Sequence, residues 1–258
     1  MADTDELLGI AEDAARRAGV LLLERFSEPA RGVTSKSTTT DLVSDADRDA
    51  ELLLVEIISA ARPSDGFLGE EGAGGESKSG LRWVLDPLDG TVNFLFRIPI
   101  WSVSVAVQDS KGSVVGVVHN PSHDETFSAV RGKGALRDGG SIQVSSKENL
   151  SDALIGTGFA YDAEIRAVQA GIVERLLPRV RDIRRLGSAA LDMCHVACGR
   201  FDGYYESDMH PWDRAAGELI AREAGATVTD LSPPLGDGLG MVAANPVLHD
   251  KLRALVVG

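Results

Sequence analysis

Carboxylates stand at four places in this chain where apolar runs begin or end. "GFLGEEG" closes on Glu70 and Glu71, and "WVLDPLDGTVNF" carries Asp86 and Asp89. Asp47 sits at the head of "DRDAELLLVEIISAAR", and Asp213 at the head of "PWDRAAGELIAREAG". Surface acids decorate solvent faces, but acids at strand ends and helix starts point into clefts. Two carboxylates ~4 Å apart repel by about 4 kcal/mol at an effective dielectric of about 20. A convergent set of them needs protons or a bound cation. All the donors are oxygens, with no His or Cys at ligand spacing. Such a set suits Mg²⁺, Mn²⁺ or Ca²⁺ better than zinc.

Asp89-Gly90-Thr91 turns sharply after Pro87. Pro87 removes a backbone donor and fixes φ. Gly90 lets another group approach closely. A helix starting here would aim free N–H groups at whatever lies beside the aspartates, which suits a phosphate. Metal-holding acids beside a phosphate cradle point to metal-assisted phosphoryl chemistry. In a two-metal scheme, ions ~3.5–4 Å apart activate a water and stabilise the leaving oxygen. Taken alone, the segment also fits a turn with an Asp cap. Asp47 also fits a helix cap, and Glu71 a solvated neighbour of Glu70. His210 fits a packing or loop residue better than a base. Trp83, Trp101 and Trp212 fit core or strand-flank positions.

The elements that must position these residues follow from periodicity. Leu7, Leu8, Ala11, Ala15, Ala18, Leu22 and Phe26 recur at helical spacing and predict a helix from about Asp5 to Phe26. "RGVTSKSTTTDLVS" predicts a hairpin or mobile loop. Ser44 and Asp47 form a capping box that opens a second helix, which Pro63 stops. "GFLG" and "LRWVLDP" read as strands, and "WSVSVAVQ" with "GSVVGVVHNP" as an antiparallel hairpin. "ETFSAVRGKGALRDGGSIQV" continues that sheet.

After Lys147 the pattern alternates strand and helix from "ALIGTGF" to "ATVTDL", which predicts an α/β layer with helices on both sides. A soft boundary near Val144 to Asn149 divides residues 1–146, an α+β part with most of the acids, from residues 147–258, an α/β part with Asp213.

The whole chain narrows the function classes. It has 258 residues and a net charge of −13. Such a balance disfavours nucleic acid and anionic membrane as partners, and "RVRDIRR" at Arg179 to Arg185 fits a solvated strand edge. No apolar run approaches the ~20 residues of a membrane span. The N-terminus lacks a signal-peptide layout. Cys194 and Cys198 read as core thiols in a reducing compartment, so cytoplasm is expected.

The strings "GEE", "WVLDPLDGTVNF", "WDRAAG", "DLVSDADRDAE" and "LGSAALDMCHVACGRFDGYYE" together resemble the inositol monophosphatase family of magnesium-dependent, lithium-sensitive phosphatases, from about Lys36 to Gly225. The resemblance implies a layered αβαβα sandwich of the sugar-phosphatase type and a homodimer. It implies that Glu70, Asp86 and the Leu88 carbonyl hold one Mg²⁺, and Asp86, Asp89 and Asp213 a second. Glu70 would also hold a third, water-rich ion; Mn²⁺ is an alternative metal. Thr91 with Asp47 would polarise the attacking water, and the N–H groups of Gly90 and Thr91 would cradle the phosphate. Lys36 would belong to a loop that closes over the site.

Gly187, Ser188, Ala189 and Glu206 would meet the alcohol part of the substrate, a small phosphate ester. A carboxylate at Glu206 can accept hydrogen bonds from polyol hydroxyls. Uncharged Val92 stands where some histidinol-phosphate phosphatases of the family carry Lys. The expected substrate is therefore a polyol monophosphate such as inositol 1-phosphate. Fructose 1,6-bisphosphate, histidinol phosphate and 3′-phosphoadenosine 5′-phosphate remain alternatives; Arg184 and Arg185 could serve a second phosphate. A haloacid-dehalogenase-type phosphatase would need two Asp two apart, whereas Asp86 and Asp89 are three apart. A non-catalytic or RNA-linked protein on the same fold is the alternative of a different class.

Overall fold

A computed structural model describes residues 3–28, 31–35, 42–232 and 238–258. Lys36 lies outside the described residues. Helix α1 (Thr4–Ser27) begins at the Asp3 cap and buries Leu7, Ala11, Ala14, Ala15, Ala18 and Leu22 along one stripe. Strands β1 (Thr34–Ser35) and β2 (Leu42–Val43) pair antiparallel, as the hairpin reading expects. Helix α2 (Asp45–Ala61) opens on the Ser44–Asp47 capping box and ends just before Pro63.

The first sheet contains β3 (Gly66–Gly69), β4 (Gly74–Gly75), β5 (Arg82–Asp89), β6 (Ser102–Asp109), β7 (Gly112–Asn120), β8 (Glu125–Val130), β9 (Ala135–Arg137) and β10 (Gly140–Ile142). Among the described residues its order is β10-β9-β8-β7-β6-β5-β3-β4. Its pairs are antiparallel except β3 with β5. Short helix α3 (Thr91–Leu95) leaves the end of β5. Both faces of this sheet are dry. Leu85, Val103, Val105 and Val117 pack toward α1 and α2. Val84, Ala106, Val118 and Phe127 face the opposite way. Burial on two faces explains why β5 carries the unbroken apolar run Trp83 to Leu85.

The second half supplies β11 (Leu154–Thr157), α4 (Ala163–Leu176), β12 (Asp182–Arg184), α5 (Ala189–Ala197), β13 (Gly203–Met209), α6 (Pro211–Glu223), β14 (Thr227–Asp230), β15 (Leu239–Ala244) and α7 (Pro246–Val257). Its sheet runs β12-β11-β13-β15-β14. Alternating strands and helices favour a parallel sheet, and β11 is parallel to β12 and β13. Strand β15 departs from that pattern: it enters between β13 and β14 and is antiparallel to both. Strand β15 and helix α7 were not anticipated from sequence. A Pro-rich, Gly-rich stretch before "GMVAANPV" masks the periodicity there.

The layers run α1/α2, first sheet, α5/α6, second sheet, α4/α7. That is the expected αβαβα sandwich. Helices α5 and α6 lie in the middle, packing Ala190, Leu191, Ala216 and Ile220 against the first sheet. Met193, Val196 and Ala221 turn toward the second. The starts of both helices therefore meet the end of β5. Cys194 and Cys198 are free, and Cys194 is buried in that middle layer. No helix among the described residues is long and apolar enough to cross a membrane. The basic run resolves into an edge strand, β12, where Arg184 pairs with Asp182 at 2.6 Å.

Candidate active site

Residues three apart on a regular strand point to opposite faces. Asp86 and Asp89 nevertheless border the same cavity, of about 260 Å³. The register explains it: Asp86 faces Ser104 and Asp89 faces Ser102, so β5 spends three steps on two of β6. This β-bulge at Pro87-Leu88 turns both carboxylates inward. Proline is tolerated there because the bulge needs no ladder donor. Asp86 is 2% exposed and Asp89 9%. Glu70 and Asp213 border the same cavity, as do Leu88, Gly90 and Thr91.

Gly90 has φ 96°, left-handed backbone that favours glycine. A Cβ there would stand 3.0 Å from the Ile100 carbonyl and 3.2 Å from that of Gly187. Thr91 Oγ1 then reaches Asp47 Oδ1 at 2.9 Å and the Leu88 carbonyl at 3.0 Å. The second oxygen of Asp47 accepts from the Ser44 N–H at 2.8 Å and the Ser44 hydroxyl at 2.7 Å. One carboxylate thus caps α2 and holds Thr91.

Each remaining acid is held by a helix start or a turn. Ser188, the cap of α5, donates its hydroxyl to Asp89 Oδ2. The N–H groups of Ala190 and Ala189 donate to Asp89 at 2.8 and 3.2 Å. Asp213 accepts from the His210 N–H at the start of α6. Asp86 accepts from the Leu88 N–H at 3.1 Å. The Glu70-Glu71 turn is braced by Glu51, which accepts from the N–H groups of Glu71 at 2.9 Å and Ala73 at 2.7 Å. Sequence reading gave Glu51 no role; its signal was an acid on the buried face of an amphipathic helix, 5% exposed. Glu71 does not border the cavity.

Burial, then repulsion from Glu70, Asp89 and Asp213, pushes Asp86 well above the usual carboxylate range. Asp213 is pushed up by burial and Glu70. Burial raises Asp89 to about 6 against the lowering hydrogen bonds from Ser188 and α5. Burial also raises Asp47. Among the described residues, no three of His, Cys, Asp or Glu are drawn together as a metal-holding cluster. In kind, the set fits a hard divalent cation: oxygen donors only, buried or half-buried, and mutually repelling.

The profile of the inositol monophosphatase family matches residues 3–257. This chain belongs to the inositol monophosphatase family. The inositol-1-monophosphatase of Mycobacterium leprae is 43% identical, over 98% of this chain and 94% of that protein. The crystal structure of the extragenic suppressor protein SuhB from Bartonella henselae superposes with a TM-score of 0.91 at 36% identity, covering 97% of this chain and 98% of that one. Membership of this phosphatase family supports enzymatic activity and implies magnesium dependence.

One expectation is corrected. The acidic balance argued for a small phosphate ester as partner and against nucleic acid. A relative in Escherichia coli K12, 39% identical over 88% of this chain and 85% of its own length, is named Nus factor SuhB. A relative this similar that is named a Nus factor overturns a strictly small-molecule reading of the partners. Net charge is a sum over the whole chain and does not report how charge is distributed over any one surface.

Gly187, Ser188, Ala189 and Glu206 all border the cavity. Glu206 accepts from the Tyr204 hydroxyl, and burial raises it to about 7. Arg185 borders the cavity and Arg184 does not. Sequence reading missed the segment Gly158 to Asp162, Asp192 and Asp208, which also form the wall. Asp208 has φ 67°, a left-handed conformation with no local sequence signal. Trp83 and Trp101 are fully buried as expected. Trp212 instead borders the cavity and stacks on His210, ring centroids 4.9 Å apart.

Proposed function

We propose that this protein is a magnesium-dependent phosphomonoesterase acting on a small polyol monophosphate, inositol 1-phosphate first among candidates. One observation carries the reading: Glu70, Asp86, Asp89 and Asp213 border the cavity that Gly90 and Thr91 also border. Glu70, Asp86 and the Leu88 carbonyl would hold one ion. Asp86, Asp89 and Asp213 would hold another, and Glu70 a third. Bound magnesium supplies the positive charge these acids lack and lowers the pKa of the attacking water.

The chain's own groups do the positioning. The Thr91 hydroxyl proton is engaged by Asp47 and the Leu88 carbonyl, which leaves its oxygen lone pairs to accept a hydrogen bond from the water; a proton taken from the water would pass through Thr91 to Asp47. The N–H groups of Gly90 and Thr91 open α3 without partners in its ladder and would hold the phosphate oxygens. Water adds to phosphorus, the ester P–O bond breaks, and inorganic phosphate and the free alcohol leave. Glu206 accepts a hydroxyl of the alcohol half.

A single phosphate is favoured because the cavity has little cationic charge for a second. Arg184 is occupied by Asp182, and Arg185 is offset by Glu206 and Asp192. The relatives named inositol-1-monophosphatase point the same way. The test is phosphate release with Mg²⁺ from inositol 1-phosphate, fructose 1,6-bisphosphate, histidinol phosphate and 3′-phosphoadenosine 5′-phosphate. Preferred turnover of inositol 1-phosphate is expected; release from none of them overturns the reading. The Nus factor name of the E. coli relative supports a second reading, a regulatory role beside catalysis. Titration of labelled RNA at low salt tests it, and absence of binding there removes the RNA-linked part.

A further inference from the structure

Asp192 is 1% exposed and borders the active-site cavity. Its Oδ1 is buried and has no hydrogen-bond partner among the described residues. Buried carboxyl oxygens are rarely left so, because lost hydration is not replaced. The catalytic scheme gives this residue no task, so its cost to the fold needs another explanation.

Helix α5 sets where Asp192 points. Ser188 caps the helix and donates to Asp89, which pins the first turn to the end of β5. Asp192 follows Ser188 by four residues and Ala189 by three, so the three share a helix face. Ser188 and Ala189 border the cavity too. Across it, Glu206 and Arg185 lie near enough to act on the Asp192 charge.

We propose that Asp192 is a specificity-determining residue whose Oδ1 accepts a hydrogen bond from a hydroxyl of the substrate's alcohol half, next to the one Glu206 takes. The ligand class is a phosphate monoester of a polyol with at least two free hydroxyls. A second phosphate is disfavoured, since acceptor would face acceptor. The assignment rests on the polyol-monophosphatase reading.

Three proteins test it: wild type, D192L, which keeps similar size without an acceptor, and D192N, which keeps a carbonyl acceptor. Each is assayed with Mg²⁺ on inositol 1-phosphate and on ethyl phosphate, which has no free hydroxyl. D192L should raise KM for inositol 1-phosphate about 10- to 100-fold and leave ethyl phosphate within about twofold, as expected when one hydrogen bond is lost and the substrate hydroxyl is left unpaired. It should also melt higher than wild type, because the unpaired buried oxygen is gone. D192N should keep the wild-type preference within about threefold. Opposite movements of selectivity and Tm are not what a structural carboxyl produces.

Equal losses on both esters, an unchanged preference, or a D192L protein that no longer melts cooperatively each overturn the assignment. Wild-type protein inactive on both esters overturns it together with the parent reading. An active wild type with unchanged preference in D192L overturns the Asp192 assignment alone.

Discussion

Asp86 and Asp89 face one cavity from a single strand because β5 takes three steps where β6 takes two. Without the bulge, Asp89 would enter the apolar layer that holds Leu85 and Val105. With it, both meet Asp213 and Glu70, and burial followed by their mutual repulsion raises Asp86 strongly. The middle layer matters equally, since α5 and α6 deliver Ser188 and Asp213 to the same strand end.

Removing a carboxylate from that set should remove metal affinity. Asp86→Asn and Asp213→Asn should each lower kcat by at least ~100-fold, with a higher Mg²⁺ requirement. Phosphate release against Mg²⁺ concentration measures both. An unchanged rate in either variant contradicts its place among the ligands.

Thr91 and Asp47 should act as a unit, since Thr91 Oγ1 and Asp47 Oδ1 are 2.9 Å apart. Thr91→Ala, Asp47→Asn and the double variant form a cycle. The double variant should lose little more kcat than the worse single one. Additive losses would mean that the two do not share a role.

Ser188 serves two masters, capping α5 and clamping Asp89. Ser188→Ala should destabilise the fold by about 1–3 kcal/mol and lower kcat/KM through a loosened Asp89. Denaturant melts and kinetics together check this. A stable variant with full activity would show that the α5 N–H groups hold Asp89 unaided.

The raised acids set a pH dependence. Asp89 moves from 3.8 to about 6 and Glu206 from 4.5 to about 7. Between those values the folded chain holds more protons than the unfolded one, so stability falls as pH rises. Glu125, held low by Arg200, has the opposite sign and acts at lower pH. Buried His195, lowered from 6.5 to about 4, also has the opposite sign below 6.5, so in EDTA Tm should decline from about pH 6.5 to about pH 8. Mg²⁺ should restore it most at the upper end, by binding only the folded site. A Tm that rises across that interval would contradict the buried-acid account.

Much of this was legible in the residues. Helical spacing marked α1, and Ser44, Asp47 and Pro63 marked both ends of α2, because caps and breakers act within a few residues. The acids at element ends and the Gly90 turn likewise carried their chemistry in type and spacing. Tertiary structure decided what depends on distant partners. The bulge needs Ser102 and Ser104 on another strand, and Glu51 braces a turn about twenty residues on. Strand β15 runs antiparallel because its neighbours accept it there. Asp192 looked like one polar residue in a buried helix until α5 was placed against the cavity. Local chemistry is written in neighbouring residues, whereas convergence depends on which surfaces the packed layers bring together.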